Sequence, residues 1–228
     1  MVNIIKGNIF TTTCQTIVNT INFVRIIDTD IAYEYHLRYP EMFNKYVTLC
    51  KEKKIDIGIL WLYKSEQKWI LNFPTKYDWK YDSKIVYLEK GLQKFVETYR
   101  EKNITSIAFP LLGASKGNIP ENISLDIMRR YLDNLDIYVE IYYFDPSAED
   151  DIFLKFKKIW FTHSDEVLSR ESGIRIDFVR KVKEALQIDR IKSMSSLLSI
   201  KGIGDKTLEK AFKFANSFDI NSNPTLFG

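Results

Sequence analysis

The sequence predicts a three-layer α/β/α domain with a mixed central sheet, followed by a small all-α C-terminal domain. Two features of its texture carry that expectation. Residues 1–145 alternate short strand-like runs with amphipathic helical stretches, the pattern of a sheet covered by helices on both faces. After Asp145-Pro146-Ser147 the strand-like runs stop and only helical segments follow. Hydrophobic residues make up 45% of the 228 and aromatics 14%, enough for a packed core and well away from the composition of disorder. The boundaries read as 1–147 for the α/β domain and 148–220 for the helical one. Residues 221–228, with Asn, Ser, Pro and Gly and no periodicity, read as a fraying end.

Strands are expected where β-branched and aromatic residues cluster: Val2 to Lys6, Thr16 to Asn19, Ile57 to Tyr63, Trp69 to Asn72, Ser106 to Phe109 and Tyr138 to Phe144. Helical period runs through Ile31 to Tyr39, Glu41 to Glu52 behind Pro40, Ile85 to Lys102 and Ile123 to Leu135. In the tail, Ser164 is a candidate N-cap for Asp165 to Arg170, Ile176 to Leu186 is amphipathic, and two further short helices flank Lys201 to Gly204. In a sheet of this kind ligands bind beyond the carboxyl ends of the strands, so chemistry is sought in the loops that follow them.

No apolar stretch approaches the roughly 20 residues that span a bilayer, and no signal-type region opens the chain, so a cytoplasmic protein with no membrane partner is expected. Cys14 and Cys50 lack metal-ligand spacing and only His36 and His163 are present to help them, so no metal is expected. Charge is uneven. Residues 1–150 hold 19 Lys/Arg against 20 Asp/Glu, a net of −1, whereas residues 151–228 hold 14 against 10, a net of +4. The excess in the tail points either to a polyanionic partner or to an ordinary solvated helical surface.

Several separated motifs then occur in one order. Ile5-Lys6-Gly7-Asn8-Ile9-Phe10, Ile17-Val18-Asn19-Thr20-Ile21-Asn22, Ile31-Ala32-Tyr33-Glu34-Tyr35 and Arg38-Tyr39-Pro40-Glu41-Met42-Phe43 are followed by Ile70-Leu71-Asn72-Phe73-Pro74-Thr75-Lys76-Tyr77-Asp78-Trp79 and Ala108-Phe109-Pro110-Leu111-Leu112-Gly113. Together they resemble macrodomains of the DarG type, antitoxins that remove ADP-ribose from DNA bases. The resemblance covers about residues 3–145. It implies ADP-ribose or a related nucleotide as ligand, a cognate toxin protein as partner, an ADP-ribosyl glycohydrolase as the activity, and no cofactor. It also implies that Asn8 meets adenine, with Ile9 beside it, and that Asn22 faces the distal ribose, with Asn19 earlier on the same strand. Gly113, Ser115 and Gly117 belong to a loop whose amides approach phosphate. Lys76 matches the lysine used in cleaving the base-to-ribose link; an amine there can stabilise charge, transfer a proton or attack. Each residue also has a plainer role open to it. Asn8 and Asn22 can satisfy strand-end backbone groups, Gly113 can mark a turn, and Lys76 can be one solvated lysine among many.

The sequence departs from the family between Asn22 and Ile31. Where a glycine-rich run of the form Gly-x-Met-Gly-x-Gly would wrap the diphosphate, this chain has Arg25-Ile26-Ile27-Asp28-Thr29-Asp30. Bulky residues remove the close backbone approach that glycine allows. Two carboxylates also repel a diphosphate, each pair at about 4 Å by roughly 1 kcal/mol in water and by several times that where solvent is excluded. Three readings remain open: Arg25 grips a phosphate in a site that still cleaves, the domain binds without turnover, or Asp28 and Asp30 form a site for a less anionic ligand.

In the tail, Ser195 to Phe212 resembles a helix-hairpin-helix motif, which grips DNA phosphate without reading sequence. Gly202 and Gly204 permit a tight turn, Ile203 plugs it into the core, and the amides near Asp205 to Thr207, flanked by Lys201 and Lys206, form a helix-start anion site. Val167 to Arg175 repeats the rhythm about 29 residues earlier with Gly173-Ile174 but without a second glycine. The combined expectation is a DNA-associated macrodomain protein acting on ADP-ribose. A catalytically inactive scaffold that binds nucleic acid or protein through its tail is the alternative.

Overall fold

The computed structural model describes residues 2–22, 31–78, 80–148 and 151–217. The chain divides into two compact units, Met1–Asp145 and Pro146–Gly228.

The first unit is built on six strands: β1 (Val2–Gly7), β2 (Thr16–Ile21), β3 (Trp61–Lys64), β4 (Trp69–Pro74), β5 (Ser106–Pro110) and β6 (Tyr138–Phe144). They lie in the order β1-β6-β5-β2-β4-β3, all pairs parallel except β3 with β4. Helices α1 (Ile31–Arg38), α2 (Pro40–Lys51), α3 (Ile85–Thr98) and α4 (Glu121–Leu132) complete the layers.

Side-chain alternation sorts the two faces. Val18, Leu71, Phe73, Ile107, Phe109, Val139 and Ile141 pack with Leu88, Leu92 and Phe95 of α3 and with Ile127, Met128 and Leu132 of α4. Their neighbours Ile17, Ile70, Ala108 and Tyr142 face the other way, against Tyr35 of α1 and Met42 of α2. Contact on the α3 side is close enough to demand glycine, since a Cβ on Gly91 would sit 2.2 Å from Cζ of Phe73.

Ladder pairing between β2 and β5 ends at Ile17 with Ala108, while β2 stays paired with β4 through Ile21 and Pro74. The chain leaving β2 enters α1 and α2 on one face, and the chain leaving β5 enters α4 on the other. A crevice therefore opens between the carboxyl ends of β2 and β5, the position at which such sheets bind ligands.

One expected strand is shorter than its apolar run. Residues 57–60 are turn and coil rather than strand: Gly58 takes φ 85° and Ile59 N–H donates to the Asp56 carbonyl at 2.9 Å, so pairing begins only at Trp61.

The second unit holds α5 (Asp151–Thr162), α6 (Asp165–Ser172), α7 (Ile176–Ala185) and α8 (Asp205–Ser217), with a 3-10 segment at Ser195–Ser199 where a short helix is expected. Helix α5, absent from the helices expected in the tail, supplies the centre of this core. Trp160 is fully buried, its ring 4.3 Å from that of Phe156 and 5.8 Å from that of Phe214, and its Nε1 donates to the Val179 carbonyl at 3.1 Å. Ser164 caps α6 as expected, its hydroxyl accepting from Val167 N–H. No helix among the described residues is long and apolar enough to cross a membrane.

Candidate functional site

Four sequence candidates occupy the carboxyl edge of the sheet. Asn8 follows β1, Asn22 follows β2, Lys76 follows β4 beyond Thr75, and Gly113 opens the loop after β5. Strand spacing near 4.8 Å puts the ends of β1 and β2, three positions apart, roughly 14 Å from one another. That distance suits an extended nucleotide lying across the edge.

Asn8 is buried, and its side-chain oxygen accepts from Phe10 N–H at 3.0 Å, capping the 3-10 turn Ile9–Thr11. The Ile9 side chain belongs to the core beside Cys14 and Ile17. Asn19 lies inside the sheet layer, where its amide donates to Asn72 Oδ1 at 2.9 Å and Asn72 in turn donates to the Trp61 carbonyl at 3.3 Å. The Asn19 side-chain oxygen is buried and has no hydrogen-bond partner among the described residues. Asn22 is held from behind, for the Tyr46 hydroxyl of α2 donates to its carbonyl. Arg25, Asp28 and Asp30 lie outside the described residues.

The loops after β4 and β5 meet although β2 lies between their strands. Lys76 Nζ donates to the Lys116 carbonyl, Ser83 N–H donates to the Gly117 carbonyl at 3.0 Å, and Asn118 donates to Asp82 at 2.6 Å. Lys76 thus reaches the loop that carries Gly113, Ser115 and Gly117. The loop is tightly coiled: Gly113, Ser115 and Asn118 all take left-handed φ, at 67°, 50° and 57°. A Cβ on Gly113 would meet Ile119 Cδ1 at 2.8 Å, and one on Gly117 would meet Ser83 Oγ at 2.7 Å. A left-handed φ and close packing thus favour glycine at 113, and the Ser83 side chain crowds any Cβ at 117. Ser83 was missed from the sequence. Its hydroxyl is buried beside this loop without a hydrogen-bond partner among the described residues, and nothing in its neighbours' types marks it.

A second polar cluster lies under the start of β2. The Thr12 hydroxyl donates to buried Glu140, Cys14 N–H donates to the Thr12 hydroxyl at 3.1 Å, and Lys68 Nζ donates to the Thr12 and Cys14 carbonyls at 3.0 and 2.6 Å. Burial first, and Glu140 second, pushes the Tyr142 phenol up to about 12. Burial likewise raises the Cys14 thiol, which leaves it a core residue with little thiolate.

In the second unit the Gly202 turn takes φ 92°, and a Cβ there would meet Lys181 Nζ at 2.6 Å. Ile203 is buried as a plug. Lys201 and Lys206 are exposed beside the turn. Thr207 and Leu208 N–H both donate to the Gly204 carbonyl, at 2.9 and 3.1 Å, so the Thr207 amide is spent within the turn. Gly204 is different: a Cβ would meet nothing within 4 Å and its φ is not left-handed. Neither packing nor backbone conformation requires glycine there.

The first unit's arrangement matches proteins of known family. Residues 18–128 match the model of the Macro domain. A DNA ADP-ribosyl glycohydrolase of Mycobacterium tuberculosis is 28% identical over 222 residues, covering 94% of this chain and 58% of its own length. That alignment runs past the first unit into the second. The solved macrodomain of Mycobacterium tuberculosis DarG is 33% identical with a TM-score of 0.60, covering 62% of this chain and 97% of that one. A structure of Thermosipho africanus DarTG in complex with ADP-ribose is 32% identical with a TM-score of 0.59, covering 63% of this chain and 42% of that one. The chain spans somewhat over half the length of the curated relative it matches. With its parallel-edged crevice, its ordered motifs and these likenesses, the chain belongs to the macrodomain family, its first unit being a macrodomain of the DarG type.

Proposed function

We propose that the first unit recognises ADP-ribose carried on DNA and releases it, and that the tail holds the DNA. The observation that carries this reading is the reach of Lys76 from the end of β4 to the Lys116 carbonyl, in the loop after β5 that also carries Gly113 and Gly117. Release breaks the bond between the anomeric carbon and the base nitrogen and puts a water oxygen in its place. Asn22 orients the distal ribose, loop amides face the diphosphate, and the Lys76 ammonium, already within reach of that loop, protonates the departing base. The relative solved with ADP-ribose supports the ligand. The DarG-type resemblance also brings a cognate toxin protein as partner.

The tail reading rests on Gly204. A glycine that the unit itself does not need is accounted for by close approach of an outside group, and Lys181, Lys201 and Lys206 surround the turn with positive charge.

Incubation with an ADP-ribosylated oligonucleotide tests the chemistry. Wild type releases ADP-ribose, and Lys76→Ala lowers the rate by about a hundredfold or more. Calorimetry separates the second reading, a scaffold without turnover, which the glycine-free Arg25 to Asp30 run favours. Binding of ADP-ribose without release leaves a recognition module; neither binding nor release leaves the scaffold.

A further inference from the structure

The segment leaving β4 repeats a four-residue unit. Lys76-Tyr77-Asp78-Trp79 is followed by Lys80-Tyr81-Asp82-Ser83 and then Lys84-Ile85. Its side chains divide by type. The carboxylates bond within the fold: the Asp78 side chain accepts from Lys80 N–H at 3.1 Å, and the Asp82 side chain accepts from the Asn118 side-chain amide at 2.6 Å. Two of its tyrosines and two aliphatic groups face outward. Tyr77 is 49% exposed, Tyr81 68%, Ile85 45% and Val86 46%, so ten consecutive residues supply four of the twelve exposed large apolar side chains among the described residues. The Tyr77 ring is braced edge-on by Tyr87 at 5.4 Å, and Lys84 Nζ lies 5.8 Å from the Tyr87 ring. Lys80 and Lys84 are exposed, and Lys84 forms no ion pair among the described residues.

Such a concentration is costly on a water-facing surface and marks a binding surface. Its chemistry selects the occupant. Exposed rings alternating with exposed ammonium groups along one stretch of chain fit a polymer that offers flat faces and negative charges in alternation, which is an unpaired nucleic acid strand. A duplex hides its base faces and would leave the tyrosines without a role. We infer that Tyr77, Lys80, Tyr81 and Lys84 form a platform for single-stranded DNA, on which the strand flanking the modified base lies as it leaves the cleft. Tyr77 and Tyr81 stack bases, and Lys80 and Lys84 neutralise phosphates. The modified base itself rests on the reading proposed above; the platform begins one residue beyond Lys76.

Fluorescence anisotropy of the full chain carrying Lys201→Glu and Lys206→Glu, which silences the tail, against a short oligothymidylate and a duplex of equal length isolates the platform. The single strand should bind more tightly than the duplex. Tyr81→Ala should weaken single-strand binding about fivefold or more, Tyr81→Phe should retain it, and Lys84→Glu should flatten its salt dependence. Calorimetry with free ADP-ribose on the same proteins should be unchanged by Tyr81→Ala. Equal affinity for strand and duplex, or indifference to Tyr77→Ala and Tyr81→Ala, overturns the platform and leaves a protein-facing patch. Single-strand binding that persists in a chain with no affinity for ADP-ribose overturns the proposed reaction and leaves the platform standing.

Discussion

The two turns of the second unit begin from the same rhythm and end in different states. At the first, Gly173 takes φ 66° as the C-cap of α6, its carbonyl accepts from Lys210 at 2.6 Å, and Arg175 pairs with Asp177 at 2.7 Å where α7 starts. Its charge is answered within the unit. At the second, Gly202 again supplies the left-handed residue, but Lys201 and Lys206 form no ion pair among the described residues, and Gly204 leaves open space. Repetition of a motif thus does not repeat its function. One turn is a joint, closed by its own side chains, and the other leaves Lys201 and Lys206 exposed beside it.

The largest effect removes both turns at once. Trp160→Ala deletes a fully buried indole and its bond to Val179, and should destabilise the second unit by about 3–5 kcal/mol, seen as loss of its melting transition with both hairpins. Gly204→Glu sharpens the contrast. With open space for the side chain the fold should persist, whereas a carboxylate at the phosphate position should cut duplex affinity at low salt by tenfold or more; unchanged affinity would remove the open turn from DNA binding. The corresponding change at the joint should do the opposite. Gly173→Ala meets no steric obstacle but must hold a left-handed φ, at about 1–2 kcal/mol in denaturant melts, with DNA affinity intact.

The smallest effect is a pH dependence of the joint. Hydrogen bonds from Lys183 and then Arg180 hold the Asp165 carboxyl below the usual range and tie the start of α6 to α7. A carboxyl depressed in the folded state contributes stability that is fully present above its unfolded value near 4 and is lost as pH falls through the folded one. Asp165→Asn should therefore lower Tm slightly at neutral pH and by less in acid, read by melts from pH 7 to pH 2.

Much of the first unit was legible because alternation and helical period are local signals. Trp69–Pro74, Ser106–Pro110 and Tyr138–Phe144 form where β-branched and aromatic residues cluster, and Asn8, Asn22, Lys76 and Gly113 all stand at strand ends. Less was legible where an apolar run changes conformation partway, as at Ile57 to Leu60. The site's third dimension was not legible at all. Ser83, Lys116 and Asn118 join the Lys76 segment only because the loops after β4 and β5 meet, and their spacing in sequence carries no trace of that meeting.

Residue types and their order determined the layers, the family and which side chains carry usable chemistry, since these depend on periods of two and 3.6 residues and on short motifs. Tertiary structure alone decided that Gly91 makes room for Phe73, that Gly117 makes room for Ser83, and that Gly204 makes room for nothing among the described residues. A glycine's meaning lies in the space beside it, and that space is set by neighbours distant in sequence.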